Sequence, residues 1–146
     1  MADDQECREA IDRSVRALAR RDHSAASLRA KLGRAGVSEE AQTEALETLE
    51  RAGYVDDSRF ARDRAEVLAA RGYGDHWIRA DLDAQGVAAG AAEAAVAALE
   101  PEAERAPREW AELGGGVRAA QKLARRGFAE ETLDALLAHD PAAGVG

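Results

Sequence analysis

The stretch LRAKLGRAGV at residues 28–37 decides the fold, because the chain repeats its pattern twice. Residues 78–87 read IRADLDAQGV and residues 119–128 read AAQKLARRGF. Each copy has an apolar residue, a Leu four positions later, a Gly four positions after the Leu, and an apolar residue directly after the Gly. A short pattern that returns along a chain is typical of helical repeat proteins.

Each glycine of the pattern is predicted to end a helix, because glycine fits the left-handed conformation just past a helix end. In a Schellman motif the side chain of the residue after this glycine contacts the side chain of the residue four positions before the glycine. The glycines are Gly36, Gly86 and Gly127, and the predicted contacts are Val37 with Leu32, Val87 with Leu82, and Phe128 with Leu123.

A second helix is expected after each glycine. Ser38 is a good N-cap, and Glu39 and Glu40 follow it in the first turn, where the helix dipole favours negative charge. Ala88 and Ala129 occupy the matching positions. Apolar residues continue the pattern ten positions after each glycine, at Leu46, Val96 and Leu137.

A further helix is expected ahead of each copy, over residues 7–21, 58–71 and 102–113. Asp57 and Asp75 are the predicted N-caps of the helices that follow them, and Pro101 suits a first helical turn. The sequence therefore predicts an all-α fold of three tandem three-helix units, at residues 5–52, 53–100 and 101–139. Because such small units are stabilised by their neighbours, we expect an elongated, curved stack, with a frayed tail at residues 140–146.

Composition agrees with an all-α protein, since 46% of residues are apolar and only 4% are aromatic. The single Cys7 forms no internal disulfide, no signal-peptide core follows it, and the apolar runs are too short to span a membrane. A cytoplasmic protein is expected. The net charge of −8 argues against a protein that coats nucleic acid by charge alone.

Several motifs together resemble the RecX family. ALARRDHS at residues 17–24, followed by LRAKL at residues 28–32, is similar to the opening pattern of that family. GYVDD at residues 53–57, followed by Phe60 and Ala61, resembles its Gly-Tyr-hydrophobic-Asp-Asp/Glu turn. The resemblance covers about residues 12–138. Trp77 stands where the family usually has a basic residue.

The resemblance implies a three-by-three helix array without catalytic residues or cofactors. It also implies a partner, the RecA recombinase filament on single-stranded DNA, whose growth or activity the protein would restrain. Direct contact with single-stranded DNA is a further possibility that the resemblance leaves open. A monomer is expected.

Charge is distributed unevenly along the chain. Residues 8–34 carry eight basic and three acidic residues, residues 117–127 carry four basic and no acidic residues, and residues 38–50 carry five glutamates and no base. The functional interpretation is that both basic regions face an acidic partner or phosphates. The alternative is an ordinary solvated helix face. The candidate contact residues are Arg16, Arg20, Arg21, Arg29, Lys31, Arg34, Arg118, Lys122, Arg125 and Arg126, with Arg16, Arg20, Arg29, Arg125 and Arg126 as the first choices.

The aromatic residues allow two interpretations, base stacking or packing. Tyr54 and Phe60 are expected in the core, because they lie at a turn and on an apolar helix face. Trp77 and Trp110 are expected to pack between units, with ligand contact as the alternative. Gly53, Tyr54, Asp56 and Asp57 are expected to build the turn before the fourth helix.

Enzymatic and metal sites are not expected. Asp22, His23 and Ser24 are sequence neighbours that do not face one another as a nucleophile and its base must, and Ser24 is better explained as an N-cap. His23, His76, His139 and Cys7 lack the spacing of zinc ligands.

Two other functions fit the helical pattern. A helix-turn-helix DNA-binding regulator would use the helix after each glycine, but those helices offer mainly Ala and Glu in place of base-reading residues. A purely structural helical adaptor fits the composition equally well.

Overall fold

The computed structural model describes residues 3–140, and within this range it consists of nine α-helices and no strand, which confirms the all-α prediction. Residues 141–146 of the expected frayed tail lie outside the described residues. The helices are α1 (Asp4–Arg20), α2 (Ala25–Arg34), α3 (Glu39–Arg51), α4 (Asp57–Ala70), α5 (Asp75–Ala84), α6 (Ala89–Ala97), α7 (Glu102–Glu112), α8 (Gly116–Arg125) and α9 (Glu130–Ala138).

The helices pack in consecutive groups of three, which we call the first (α1–α3), second (α4–α6) and third (α7–α9) triplets. Each triplet has its own apolar core. These cores centre on Leu28, Leu32 and Leu49, on Ile78 and Leu82, and on Leu123 and Phe128. We propose that the triplets correspond to repeat units at residues 5–52, 53–100 and 101–139.

The middle helix of each triplet ends in a Schellman motif. Gly36, Gly86 and Gly127 have φ values of 84°, 78° and 89°. The residue after each glycine donates its N–H to the carbonyl of the Leu that the pattern places five positions earlier. These N···O distances are 3.0 Å from Val37 to Leu32, 3.1 Å from Val87 to Leu82 and 3.1 Å from Phe128 to Leu123.

Two predicted helix starts are wrong by one residue. The N-cap of α4 is Asp56, whose carboxylate accepts the N–H of Arg59, and the N-cap of α5 is Gly74. Asp57 and Asp75 are instead the first helical residues. Both carboxylates have partners in neighbouring triplets, which explains why they do not cap their own helices.

The middle helices of the three triplets follow one another end to end. At the joint between the second and third triplets, the N–H of Gly74 donates to the carbonyl of Arg126 at 2.8 Å, and the N–H of His76 donates to Gly127 at 3.1 Å. At the other joint, the hydroxyl of Ser24 donates to the carbonyl of Gln85 at 2.6 Å. The negative end of α8 thus meets the positive end of α5, and α5 meets α2 in the same way, which is favourable for the helix dipoles.

A carboxylate from the next triplet completes each joint. Asp57 of α4 accepts the N–H of Ala25 at 2.8 Å, and Glu102 of α7 accepts the N–H of Asp75 at 3.0 Å. Each acceptor is the first residue of its helix, and each donor is the first residue of a middle helix. The same hydrogen bond, from the start of a middle helix to the first carboxylate of the next triplet, therefore occurs at both joints.

None of the helices described is both long and apolar enough to cross a membrane.

Candidate functional site

The basic residues of α1 lie on its solvent face. Ala10, Ser14 and Ala17 are buried against the first triplet, so the positions between them point outward. Arg16 and Arg20 are exposed and one helical turn apart, and Arg21 is exposed directly after the helix.

The basic residues of α2 are close to its C-terminal end. Arg34 is exposed and Lys31 is half-buried, both in the last turn, where they also complement the helix dipole. Arg29 is exposed and donates from Nη2 to Thr43 Oγ1 of α3 at 3.2 Å. We call the six candidate residues from the end of α1 and from α2 the N-terminal basic surface; they are Arg16, Arg20, Arg21, Arg29, Lys31 and Arg34.

Helix α8 carries the second group. Arg118, Lys122 and Arg125 are exposed and follow one face at helical spacing. Arg126, which caps the helix, is half-buried, and its Nη1 lies 4.0 Å from the Glu109 carboxylate, which offsets part of its charge. We call these four residues the C-terminal basic surface.

Helix α5 separates the two basic surfaces. It carries three acids and one base, whereas α2 and α8 each carry three bases and no acid. A ten-residue helix is about 15 Å long, which exceeds the Debye length of about 8 Å at physiological ionic strength. The two groups therefore lie in different triplets, the first and the third.

The glutamates of α3 stay on the solvent side. Glu39, Glu44, Glu47 and Glu50 are exposed. Glu44 accepts a hydrogen bond from the Cys7 thiol at 2.9 Å, and this bond is the largest of the causes that raise the pKa of Cys7 to about 11. The first triplet therefore presents both an acidic and a basic region.

Of Asp22, His23 and Ser24, only Ser24 hydrogen-bonds to another triplet. Ser24 accepts the N–H of Ser27 as the N-cap of α2 and donates to Gln85 in the second triplet. His23 is buried, and its Nδ1 lies 2.9 Å from the Ser27 hydroxyl. Burial, together with the charges of Arg21 and Lys31, lowers the pKa of His23. Within residues 3–140, no three His, Cys, Asp or Glu side chains are grouped so as to hold a metal ion.

The expectation for Tyr54 is wrong. Its side chain is 58% exposed, while its neighbour Val55 is buried in the core of the first triplet. Tyr54 lies in the bend between α3 and α4, outside any helical period, and Val55 takes the core position instead. Phe60 is buried as expected.

The two tryptophans differ in their surroundings. Trp110 packs in the core of the third triplet and donates its indole N–H to the carbonyl of Gly116 at 3.1 Å, so the expectation of packing between units is wrong for it. Trp77 is 43% exposed and stacks on Tyr73, with ring centroids 4.8 Å apart. Tyr73 was missed from the sequence because it lies in the turn before α5, outside the helical spacing that would pair it with Trp77.

Arg105 is a further residue that sequence reasoning missed. It is 6% exposed and donates to the carbonyls of Glu100 at 2.9 Å and Tyr73 at 3.3 Å. Its Nη2 also lies 3.0 Å from Asp75 Oδ1. This cation therefore joins the second and third triplets and is unavailable to a partner.

No protein-family model matches the chain. A protein of Stenotrophomonas maltophilia described as "Regulatory protein RecX" is 32% identical over 90% of this chain and 86% of its own length. A protein of Xanthomonas campestris with the same description is 38% identical over 81% of this chain and 79% of its own length. The chain belongs to the RecX family. The family resemblance inferred from the motifs is confirmed.

Solved RecX structures share the fold. The crystal structure of RecX from Lactobacillus salivarius has a TM-score of 0.78 and 15% identity, and the match covers 97% of this chain and 99% of that one. A second RecX crystal structure also has a TM-score of 0.78, with 20% identity, over 90% of this chain and 72% of the other. At these identities the match concerns the fold.

Proposed function

We propose that this chain modulates a RecA-type recombinase by binding its filament on single-stranded DNA and lowering its activity. The observation that carries the proposal is the similarity to relatives described as regulatory protein RecX over most of both chains. A RecX-family fold with two separate basic surfaces is suited to an extended, negatively charged partner.

The spacing of the basic surfaces supports a partner that repeats. They lie toward opposite ends of the α2–α5–α8 series, whose three ten-residue helices add up to about 45 Å if they are collinear. Once one surface is bound, binding of the other becomes intramolecular, which strengthens overall binding when the partner offers acidic sites at a matching distance. A filament offers equivalent sites at regular intervals.

The contacts of α3 disfavour the helix-turn-helix alternative. A recognition helix needs free Arg, Asn or Gln side chains in its N-terminal half. Gln42 of α3 is buried, and its amide donates to the carbonyl of Val37 at 2.9 Å, while Glu39 and Glu40 beside it are acidic. Phosphates would repel such a helix.

The proposal is tested with the single-stranded-DNA-dependent ATPase of the cognate recombinase. The protein is titrated into preformed filaments at several salt concentrations. We expect the ATPase rate to fall at less than one protein per recombinase subunit, and the effect to weaken as salt rises.

Charge-reversal variants show whether the N-terminal basic surface acts in this assay. The double variant Arg16→Glu with Arg20→Glu should require about tenfold more protein for the same inhibition. Arg62→Glu on α4 is the control, because Arg62 is an exposed arginine outside both basic surfaces. An ATPase rate that excess wild-type protein leaves unchanged would refute the proposal.

A further inference from the structure

Tyr73 and Trp77 form an aromatic platform near the joint between the second and third triplets. Their rings are stacked, with centroids 4.8 Å apart and an interplanar angle of 15°. Tyr73 covers one face of the Trp77 indole, and the backbone of Trp77 lies against Gly127, where a Cβ would come within 2.5 Å of the Trp77 nitrogen. Trp77 is nevertheless 43% exposed, so part of its surface that Tyr73 does not cover is open to solvent.

Packing between triplets does not require an aromatic ring at this position. Trp77 lies nine residues before Gly86, at the start of α5, and the matching residue at the start of α2, nine before Gly36, is Ser27. All three middle helices nevertheless end in the same motif, and both joints form. The indole is therefore particular to the second triplet.

The C-terminal basic surface lies next to this platform. Gly127, against which Trp77 packs, directly follows Arg125 and Arg126. The Arg126 guanidinium lies beside Gly72, the residue before Tyr73: a Cβ at Gly72 would come within 2.9 Å of Arg126 Nη1 and within 2.8 Å of the Glu109 carboxylate that pairs with Arg126. Lys122 is one turn before Arg126 on the same side of α8. The exposed aromatic ring thus lies near Arg126, on the side where α8 ends, and α8 also carries the exposed Lys122 and Arg125.

We propose that this region binds single-stranded nucleic acid, with one nucleobase stacked on the open face of the Trp77 indole and the neighbouring phosphates beside Lys122, Arg125 and Arg126. Proteins that hold single strands combine such stacking surfaces with basic side chains along the backbone path. This inference is independent of the filament proposal, since it concerns nucleic acid alone.

The surroundings of Trp77 favour a nucleobase over a protein anchor. An aromatic hot spot of a protein interface usually sits among other apolar contacts that exclude water. The other exposed residues of α5 are polar or small: His76, Arg79, Ala80, Asp83 and Ala84. A planar base needs only the ring face and a nearby cation.

The decisive comparison uses two short oligomers of equal length, an oligothymidylate and an abasic oligomer, at low salt and without recombinase. Their phosphate charge is the same, so a difference in affinity reports stacking. By fluorescence anisotropy, the oligothymidylate should bind at least about fivefold more tightly. In the Trp110→Phe variant, where Trp77 is the only tryptophan, only the oligothymidylate should quench the tryptophan fluorescence.

Substitutions assign the effect to individual side chains. Trp77→Ala should remove the preference for bases, and Trp77→Phe, which preserves stacking on Tyr73, should keep part of it. Tyr54→Ala is the matched control, because Tyr54 is an exposed aromatic residue of the first triplet, away from α8, and should change nothing. Lys122→Ala should weaken the binding of both oligomers equally. It should also reduce the slope of log affinity against log salt concentration by about one.

Equal affinity for the two oligomers, or no quenching of Trp77, would overturn the stacking proposal and leave Trp77 as a protein contact. The ATPase result is independent of this outcome, so the two proposals can fail separately.

Discussion

At the scale of single residues, the surroundings of the Cys7 thiol lower its reactivity. It donates a hydrogen bond to the Glu44 carboxylate, and this bond, with burial and the charges of Glu44, Asp4 and Glu6, raises the pKa of Cys7 from 9.0 to about 11. Only the thiolate is nucleophilic, so we expect Cys7 to react with iodoacetamide near pH 8 about 100-fold more slowly than an unstructured cysteine peptide. Mass spectrometry of the alkylated protein over time measures the rate.

The neutral substitution Glu44→Gln should increase the alkylation rate of Cys7 by about tenfold, because it removes the negative charge beside the thiol. Glu47→Gln is the control, since Glu47 is exposed on the same helix and is not among the groups that raise the pKa of Cys7. If wild-type Cys7 reacts as fast as the peptide, the hydrogen bond does not persist in solution.

Aromatic residues show where residue-level prediction works and where it does not. Phe60 lies on α4, whose buried residues Phe60, Ala61, Ala65 and Leu68 follow the helical period, so its burial can be derived from the pattern. Tyr54 lies in a turn, which has no period. Val55 occupies the core of the first triplet instead, and no local sequence signal distinguishes the two residues.

At the scale of helices, the three glycine caps look alike in sequence but differ in what surrounds them. Gly36 has open space where a Cβ would lie, whereas a Cβ at Gly86 would lie 2.3 Å from the Cβ of Ala26 in the first triplet. Gly36→Ala should destabilise the protein by about 1 kcal/mol, the cost of a left-handed conformation. Gly86→Ala should lower the free energy of unfolding by about 2–4 kcal/mol, because the clash with Ala26 adds to the backbone strain.

Urea denaturation of the two glycine variants, followed by circular dichroism, measures the difference, and Gly36→Ala is the matched control for backbone strain alone. Equal losses of stability in the two variants would mean that Ala26 and Gly86 can move apart at little cost to accommodate the added methyl group.

Helix ends were predictable where the signal is local. A glycine with a positive φ ends a helix through its own backbone, so Gly36, Gly86 and Gly127 are readable from sequence. The starts of α4 and α5 were misplaced because Asp57 and Asp75 bind distant partners, Ala25 and Arg105. A carboxylate at a predicted cap position can serve another helix, and the sequence does not reveal which one.

At the scale of the whole molecule, the joints depend on contacts between residues far apart in sequence. Ser24 and Gln85 are 61 residues apart, and Glu102 and Asp75 are 27 apart. The repeat period predicted three units, but it does not predict which helix ends contact each other between the units. The division of the ten candidate basic residues into two regions could be predicted from sequence, whereas the exposure of each side chain required the fold.

The buried Arg105 links the second and third triplets through its contacts with Glu100, Tyr73 and Asp75. Arg105→Met removes a cation that binds two backbone carbonyls and the Asp75 carboxylate, and it should destabilise the protein by about 3 kcal/mol. Because neighbouring repeats stabilise one another, the loss should be local. Hydrogen exchange followed by mass spectrometry should show faster exchange in α7–α9 and at the start of α5, with α1–α3 unchanged.

Arg108→Met is the matched control, because Arg108 lies on the same helix and its ion pair with Glu100 is exposed on both sides. Exposed pairs contribute at most about 1 kcal/mol, so this variant should keep the exchange pattern of the wild type. If Arg105→Met instead accelerates exchange equally in all nine described helices, the three triplets unfold as one cooperative unit. The basic surfaces would then be held in a fixed relation by the whole fold, and Arg105 would contribute to general stability more than to one joint.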